Sequence, residues 1–460
     1  NLSNKAVTIA EVLGQSGYSN YMAKKWHLTP GHDKDRLANK SNWPLQRGFD
    51  RFFGTIHGAG SFFDPNSLTS GNTQIVPTEN FYYTDAISDT TVKFIDEHRD
   101  ENPFFIYFAY TAAHWPMHAL PKDIAKYRGK YDDGWDAVRA ARYDKMIEMG
   151  LVDEKWKLST SFTSPYTWEE SDLKEWHAQC MEVYAAMIDN MDQGIGRIKA
   201  ALKRNSQFEN TLIFFLQDNG ACAEQFGMWR ELPDDIDEWP LKPMEAGELQ
   251  YKMVPDVTRD GRPVRIGRGV VPGPANTYIG YDPLWANASN TPFRMFKHWM
   301  HEGGISTPLI VHWPENIKSP GEFRTQPGHL MDIMATCVEV SGASYPEIYH
   351  ENEIYPLEGK SLVSAFDNQA IEREALYWEH EGNRAIRLGK WKLVSKPNLK
   401  PRYYDLVEEL PMEEWELYDM EEDRTELHDL AKQYPEMVQE MSAKWLVWAK
   451  RVLVIPKPEK

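Results

Sequence analysis

Two residues, Asp218 and Asn219, follow directly on an apolar run in "TLIFFLQDNGA" (211–221), and they pose the first chemical question of the chain. Asp-Asn-Gly is a common turn signal at the end of a buried strand. A carboxylate beside an amide oxygen is also a pair of hard donors for a cation. Elsewhere "MAKKWHL" (22–28) sets Lys25 and His27 two residues apart, on one face if the chain is extended, with Trp26 on the other. "TAAHWP" (111–116) offers His114 after a second apolar run. "NTPFRMFKHWMHEGGI" (290–305) brings Arg294, Lys297 and a Gly pair that lets backbone approach a ligand.

Singly, each has a plainer reading: a solvated surface lysine, a satisfied structural histidine, the exposed face of a short helix around Lys297, a turn. Jointly they are two lysines and two histidines around an oxygen-rich cation site. That set suits holding a tetrahedral oxyanion and protonating a leaving oxygen.

The elements that must position these groups are legible as apolar runs. "PFFIYFAY" (103–110), "TLIFFL" (211–216) and "TPLIVHW" (307–313) have strand length and polar or proline borders, the pattern of strands buried on both faces. Helical patterns lie between them at 8–18, 83–99 and 175–204, the last with glycines that could kink it. This alternation predicts an α/β fold, a mainly parallel or mixed sheet sandwiched by helices. Open sheets of this kind bind ligands at the carboxyl ends of their strands, where His114 and Asp218 fall. The stretch from 223 to about 287 is rich in Pro and Gly without a clear period, the texture of a substrate lid or binding loop. From 366 to 460, short strands at 375–395 and 414–423 precede an amphipathic helix at 434–453, predicting a smaller C-terminal subdomain of antiparallel sheet plus helix after a catalytic domain over 1–365.

Bulk properties exclude several classes. A formal charge of −18 lacks the basic footprint of general nucleic-acid binding, so an anionic substrate must meet a local group of cations. Arg259, Arg262, Arg265 and Arg268 are one possible local patch, more simply read as a solvated loop. No apolar stretch reaches the ~18 residues of a membrane span. Three scattered cysteines, Cys180, Cys222 and Cys337, indicate neither a disulfide framework nor a cysteine metal site.

Seven segments in order complete the picture: "AKKWHL", "PLQRGFDRFFG" (44–54), "FFIYFAYTAAHWP", "NTLIFFLQDNG", "SNTPFRMFKHWMHEGGISTPLIVHWP" (289–314), "MDIMATC" (331–337) and "LGKWKLV…WELYDMEEDRTELHDLA". Together they resemble the type I sulfatases, the arylsulfatase-like branch of the alkaline phosphatase superfamily, over nearly the whole chain. The resemblance implies hydrolysis of a small-molecule or saccharide sulfate ester by a formylglycine nucleophile, with one calcium ion as Lewis acid and template. It assigns Asp218 and Asn219 to part of the calcium site, Lys25 and His27 to the formylglycine hydrate and sulfate, and His114 and Lys297 to sulfate binding and leaving-group protonation. It implies a periplasmic or secreted location.

Two departures stand out. Lys24 and Thr29 replace the glycines of the family's Gly-Lys-Trp-His-Leu-Gly. No cysteine or serine stands in a C/S-x-P/A-x-R motif, and the Asp-Asp strand that completes the family's metal site is absent from the 460 residues. The expectation is therefore a sulfatase chain lacking its formylglycine segment, inactive alone. The alternatives are a non-catalytic sulfate- or glycan-binding relative, and a phosphodiesterase or phosphonate hydrolase of the same superfamily. Retention of Lys25, His114 and Lys297 favours the enzyme, since a decayed site would be expected to lose them.

Overall fold

The computed structural model describes residues 2–29, 39–99, 101–160, 167–227, 230–396 and 411–455. Its first element, α1 (Ile9–Gly14), begins in a capping box: Thr8 Oγ1 accepts the Glu11 N–H at 3.0 Å while a Glu11 carboxylate oxygen accepts the Thr8 N–H at 2.7 Å. Glu11 is also paired with buried Arg47 at 2.8 Å, and Gly48 follows with φ +88° because a Cβ there would meet the α1 backbone. Asp50 accepts the Asn20 N–H at 2.7 Å. The "RGFD" segment thus clamps α1 to the first strand; its conspicuous residues hold the scaffold.

That strand, β1 (Ser19–Lys25), is central to a five-stranded sheet with β2 (Arg51–Thr55), β3 (Leu68–Ser70), β4 (Thr73–Gln74) and β5 (Phe104–Ala109), in the order β4-β3-β2-β1-β5. Pairs β1–β2 and β1–β5 are parallel; β2–β3 and β3–β4 are antiparallel. Strands β6 (Ile213–Leu216) and β7 (Leu309–His312) form a separate antiparallel pair. Among the described residues, β5 and β6 each keep one edge without a strand partner. The runs expected to be buried on both faces are consequently half-covered: Tyr107 is 42 %, Leu309 39 % and Ile310 59 % exposed. Apolar content identified these strands, but burial of both faces also needs neighbours that these edges lack.

Helix α2 (Tyr83–Glu97) packs on α5 (Lys174–Arg204), joined by Arg197–Asp85 at 2.8 Å, and α5 runs unbroken through Gly194 and Gly196. Between them lie α3 (Pro121–Ile124) and α4 (Gly134–Glu148). The main core interleaves Tyr21, Phe62, Ile87, Trp135, Met187 and Trp285. Trp285 comes from α6 (Pro283–Ser289), where the otherwise irregular 223–287 segment ends. Its arginines are paired: Arg259 with Asp64, Arg262 with Asp260, Arg265 with Asp237 and Arg268 with Asp172, at 2.6–2.9 Å. No basic patch forms there, because each guanidinium already has its carboxylate.

After α7 (Glu302–Ile305) come α8 (Met331–Ser341), the small hairpin β8 (Ile348–Tyr349) and β9 (Asn352–Glu353), and α9 (Val363–Phe366). The chain then forms the antiparallel sheet β10 (Leu376–His380), β11 (Asn383–Leu388), β12 (Trp391–Ser395) and β13 (Trp415–Asp419), covered by α10 (Pro435–Arg451) through Met441 and Trp445. A buried ion triad ties this sheet to the rest. Lys392 Nζ on β12 lies 2.8 Å from both Glu302 Oε1 on α7 and Glu426 Oε1. Three of the recognisable segments, "EGGI", "GKWKL" and "DRTEL", meet in that one contact.

Candidate active site

The carboxyl ends of β1, β5 and β6 converge, and the charged residues follow from that convergence. Lys25 ends β1, His114 comes five residues after β5, and Asp218 comes two after β6. Asp218 is exposed, and its charge acts on both Lys24 and Lys25. Burial lowers the Lys25 ammonium from its ordinary value; Asp218 opposes that effect and Lys297 adds to it. His114 is taken down to about 4, first by burial, while its hydrogen bond to the Trp115 carbonyl opposes the shift and the charges of Lys25 and Lys297 reinforce it. Lys25, His114, Lys297 and Asp218 therefore share one electrostatic site.

Lys297 does not sit on a helix. It lies in the loop before α7, where its N–H donates to the Ala221 carbonyl at 3.1 Å. Asn290 Oδ1 accepts the Ala221 N–H at 3.0 Å, and Gly220 N–H donates to the Gly304 carbonyl at 2.9 Å. A Cβ built on Gly220 would overlap the Gly303 carbonyl oxygen, so two glycine backbones touch here. The Asp218–Asn219 turn and the Lys297 loop are thereby one unit. Asn219 gives its amide N–H to the Gly220 carbonyl at 2.8 Å, which leaves its Oδ1 facing away as a donor oxygen. Arg294 turns from the site to the Tyr418 hydroxyl and the Glu426 carbonyl.

His27 departs from the extended geometry that would align it with Lys25. Its N–H still donates to the Ile56 carbonyl at 3.0 Å, but φ is +56° and the exposed ring rests on Gly58. Strand alternation ends at Trp26, which is buried as expected. A Cβ at 58 would lie 2.6 Å from the imidazole and push the ring away, so glycine there lets the ring rest in this place.

Several neighbours carry no site role in the sequence reading. Lys24 stacks its ammonium 3.7 Å from the Tyr107 ring centroid, and burial, helped by Lys25, lowers it to about 7. Glu224 accepts the Trp115 indole N–H at 2.7 Å and lies 3.6 Å from His298. Hydrogen bonding from His298, then from Trp115, outweighs burial and holds its carboxyl down to about 2. Cys222 joins His114 and Glu224 in a group whose ligand atoms lie within 4.8 Å of one another. Only the position of Cys222 four residues past Asp218 could have signalled this. Trp115 stacks on Phe226 at 4.7 Å and 19°, giving the site a half-exposed aromatic wall.

A mixed sheet between helices, with cations and oxygen donors gathered at its strand ends, is the arrangement of an α/β enzyme that handles an oxyanion. Comparison with known proteins carries this further. Residues 1–343 match the model of the sulfatase family, and residues 293–450 match that of the N-sulphoglucosamine sulphohydrolase C-terminal region; the chain belongs to the sulfatase family, the sulfuric ester hydrolases. It is 28 % identical to an uncharacterised sulfatase of Schizosaccharomyces pombe over 100 % of this chain and 79 % of that protein. To an arylsulfatase of Klebsiella aerogenes it is 26 % identical over 78 % of this chain and 73 % of that one. The fold matches a crystal structure of Ps i-CgsB in complex with k-i-k-neocarrahexaose, with a TM-score of 0.60, 21 % identity, and coverage of 96 % and 73 % of the two chains. Family membership points to a metal-dependent enzyme. Among the described residues no helix is long and apolar enough to cross a membrane.

Proposed function

We propose that this chain provides the sulfate pocket and leaving-group acid of an aryl or saccharide sulfate hydrolase. The observation that carries the reading is the shared electrostatic site of Lys25, His114, Lys297 and Asp218. Lys25 and Lys297 bind the sulfate oxygens as charge-assisted donors. His114, neutral in the free pocket, keeps Nε2 unprotonated while Nδ1–H donates to the Trp115 carbonyl. It takes up a proton when an anion offsets the two lysines, and then donates it to the departing oxygen. His27 completes the rim.

Asp218 and Asn219 Oδ1 are hard oxygen donors and fit calcium, which takes six to eight such ligands. When bound, calcium would supply Lewis-acid polarisation of the sulfate. The remaining ligands and the formylglycine nucleophile belong, in this reading, to a segment outside the 460 residues. The edges of β5 and β6 that have no strand partner among the described residues, with Tyr107 half-exposed on β5, support a further strand beside them. The aromatic wall of Trp115 and Phe226 offers a stacking face to a sugar or an aryl group.

The test is calorimetric titration of the chain with inorganic sulfate in calcium buffer. One sulfate should bind, and Lys297→Ala should weaken it by about tenfold or more, the worth of a charge-assisted hydrogen bond. Affinity unchanged in both Lys25→Ala and Lys297→Ala would remove the pocket from this place.

A further inference from the structure

Beside the sulfate pocket, three side chains from two parts of the fold meet without a role in the chemistry above. His298 immediately follows Lys297, while His380 ends β10 and Glu381 opens the turn to β11. We propose that His298, His380 and Glu381 are a binding site for one divalent metal ion of the borderline class that imidazole and carboxylate select, zinc being the representative.

Their ligand atoms all lie within 4.8 Å of one another. Glu381 sits in the middle, with one oxygen 3.1 Å from His298 Nδ1 and the other 4.0 Å from His380 Nε2. Zinc–nitrogen bonds of about 2.0–2.1 Å put tetrahedral ligands about 3.3 Å apart, so closure needs at most about 1.5 Å of side-chain adjustment. Glu381 and His380 are exposed enough to make it, and that exposure leaves the fourth position to water.

The surroundings are those of a built site. Glu224 faces the far nitrogen of His298, Nε2, at 3.6 Å. In the metal-free protein His298 Nδ1–H donates to Glu381 at 3.1 Å; an incoming metal would displace that proton, and the Glu224 carboxylate beside Nε2 would then hold the ring as its Nε2–H tautomer, the carboxylate–histidine–metal arrangement that orients metal-bound imidazoles. Asn383, itself buried, donates its side-chain amide to both the His298 carbonyl, at 3.1 Å, and the His380 carbonyl, at 3.3 Å. One amide thus sets the spacing of the two histidine backbones. His298 at φ +93° and Glu381 at φ +51° hold left-handed conformations that non-glycine residues rarely adopt. The two imidazoles lie 5.6 Å apart and 23° from parallel, and each offers one ring nitrogen within 4.8 Å of a Glu381 oxygen.

The donor set separates this site from the one at Asp218. Two nitrogens and one carboxylate suit zinc, copper or nickel, whereas calcium prefers an all-oxygen shell. A metal here would pin the loop carrying Lys297 to the C-terminal sheet. Through Glu224, whose other hydrogen bond holds Trp115, it would also touch the aromatic wall.

The experiment uses the full chain, stripped of metal and kept in millimolar calcium, titrated with zinc chloride against a chromophoric chelator. One zinc should bind per chain. His380→Ala and Glu381→Gln should each weaken it by more than about tenfold, and Cys222→Ser should leave it unchanged. X-ray absorption of the wild-type complex should show nitrogen and oxygen neighbours without sulfur. The proposal is overturned if no stoichiometric zinc binds, if His380→Ala binds as the wild type does, or if sulfur enters the first shell. The last result would place the ion on His114, Cys222 and Glu224 instead. The absorption spectrum needs no variant and decides the matter even if a substitution disturbs folding.

Discussion

The backbone N–H of Lys297 donates to the carbonyl oxygen of Ala221 at 3.1 Å, so the lysine of one loop is registered against the Asp218–Asn219 turn of another. This bond, with Gly220 to Gly304 and Ala221 to Asn290, fixes the Asp218 carboxylate, proposed to meet a cation, and the Lys297 ammonium, proposed to meet the sulfate, in a single frame. Changes to that frame should register in both functions at once.

Gly220→Ala tests the frame directly. The added methyl would overlap the Gly303 carbonyl, and neither backbone has a flexible tip to yield. A loss of about 1–3 kcal/mol in urea unfolding is expected, as for other overpacked sites, together with weaker sulfate binding. A variant as stable as the parent, with sulfate affinity intact, would show that the two loops slide freely.

Sulfate affinity should rise as pH falls. Burial and two lysines hold the free His114 at about 4, and a bound dianion offsets them and raises it. The complex then takes up a proton over the window from the bound value down to about 4, and binding tightens through that window. Titrations from pH 8 to pH 5 should show the rise in the parent and its loss in His114→Gln.

Lys24 makes an opposite contribution to stability. Its folded value of about 7 lies well below the ordinary 10.5, so the unfolded chain binds the extra proton between those limits. Stability should therefore increase with pH from about 7 to 10.5, and the burial cost is felt in full below 7. Lys24→Met should flatten that slope and raise the melting temperature at pH 6; an unchanged slope would mean the ammonium reaches solvent.

Lys392→Met would leave Glu302 and Glu426 facing each other in the interior. Burial opposes the charge on Glu302, and the neighbouring Lys392 and Arg424 outweigh it, holding its carboxyl well below the usual range. Removing the cation should cost about 3–5 kcal/mol, measured by chemical denaturation. A loss under about 1 kcal/mol would mean that water already reaches the triad.

The 460-residue chain alone should release no 4-methylumbelliferone from its sulfate ester, since none of its three cysteines stands in the motif of a formylglycine precursor. Cys180 is buried in α5, and burial raises the thiols of Cys222 and Cys337. Turnover by this chain alone would require a different nucleophile.

Much of the framework is legible in the sequence because apolar runs and helical periods report burial. β5, β6, β7 and the C-terminal sheet with α10 all fall inside the expected stretches. What periodicity cannot show is which neighbours a strand has, and so the half-exposure of Tyr107 and Ile310 was not foreseeable. Residue type also misleads about Lys392: a lysine between tryptophan and leucine reads as solvent-facing, yet it is fully buried by carboxylates 90 and 34 residues away. At the site, spacing placed Lys25 and Trp26 on opposite sides of the chain, but His27 turns out of that alternation and rests its ring on Gly58, a partner remote in sequence. Glu224 and His298 escaped notice for the same reason, since each acquires meaning only through a contact with the other.

The glycine-on-glycine contact between 220 and 303 has a bearing on how this pocket can diversify. A place where neither partner tolerates even a methyl group has no neutral neighbours in sequence space, so the frame that ties the Lys297 loop to the Asp218–Asn219 turn is effectively frozen. Novelty in what is attached to the sulfate must then be written in the irregular 223–282 segment and the aromatic wall it helps build. Chemistry and selectivity are thereby assigned to different stretches of the chain, and a selectivity library should randomise the second while leaving the first untouched.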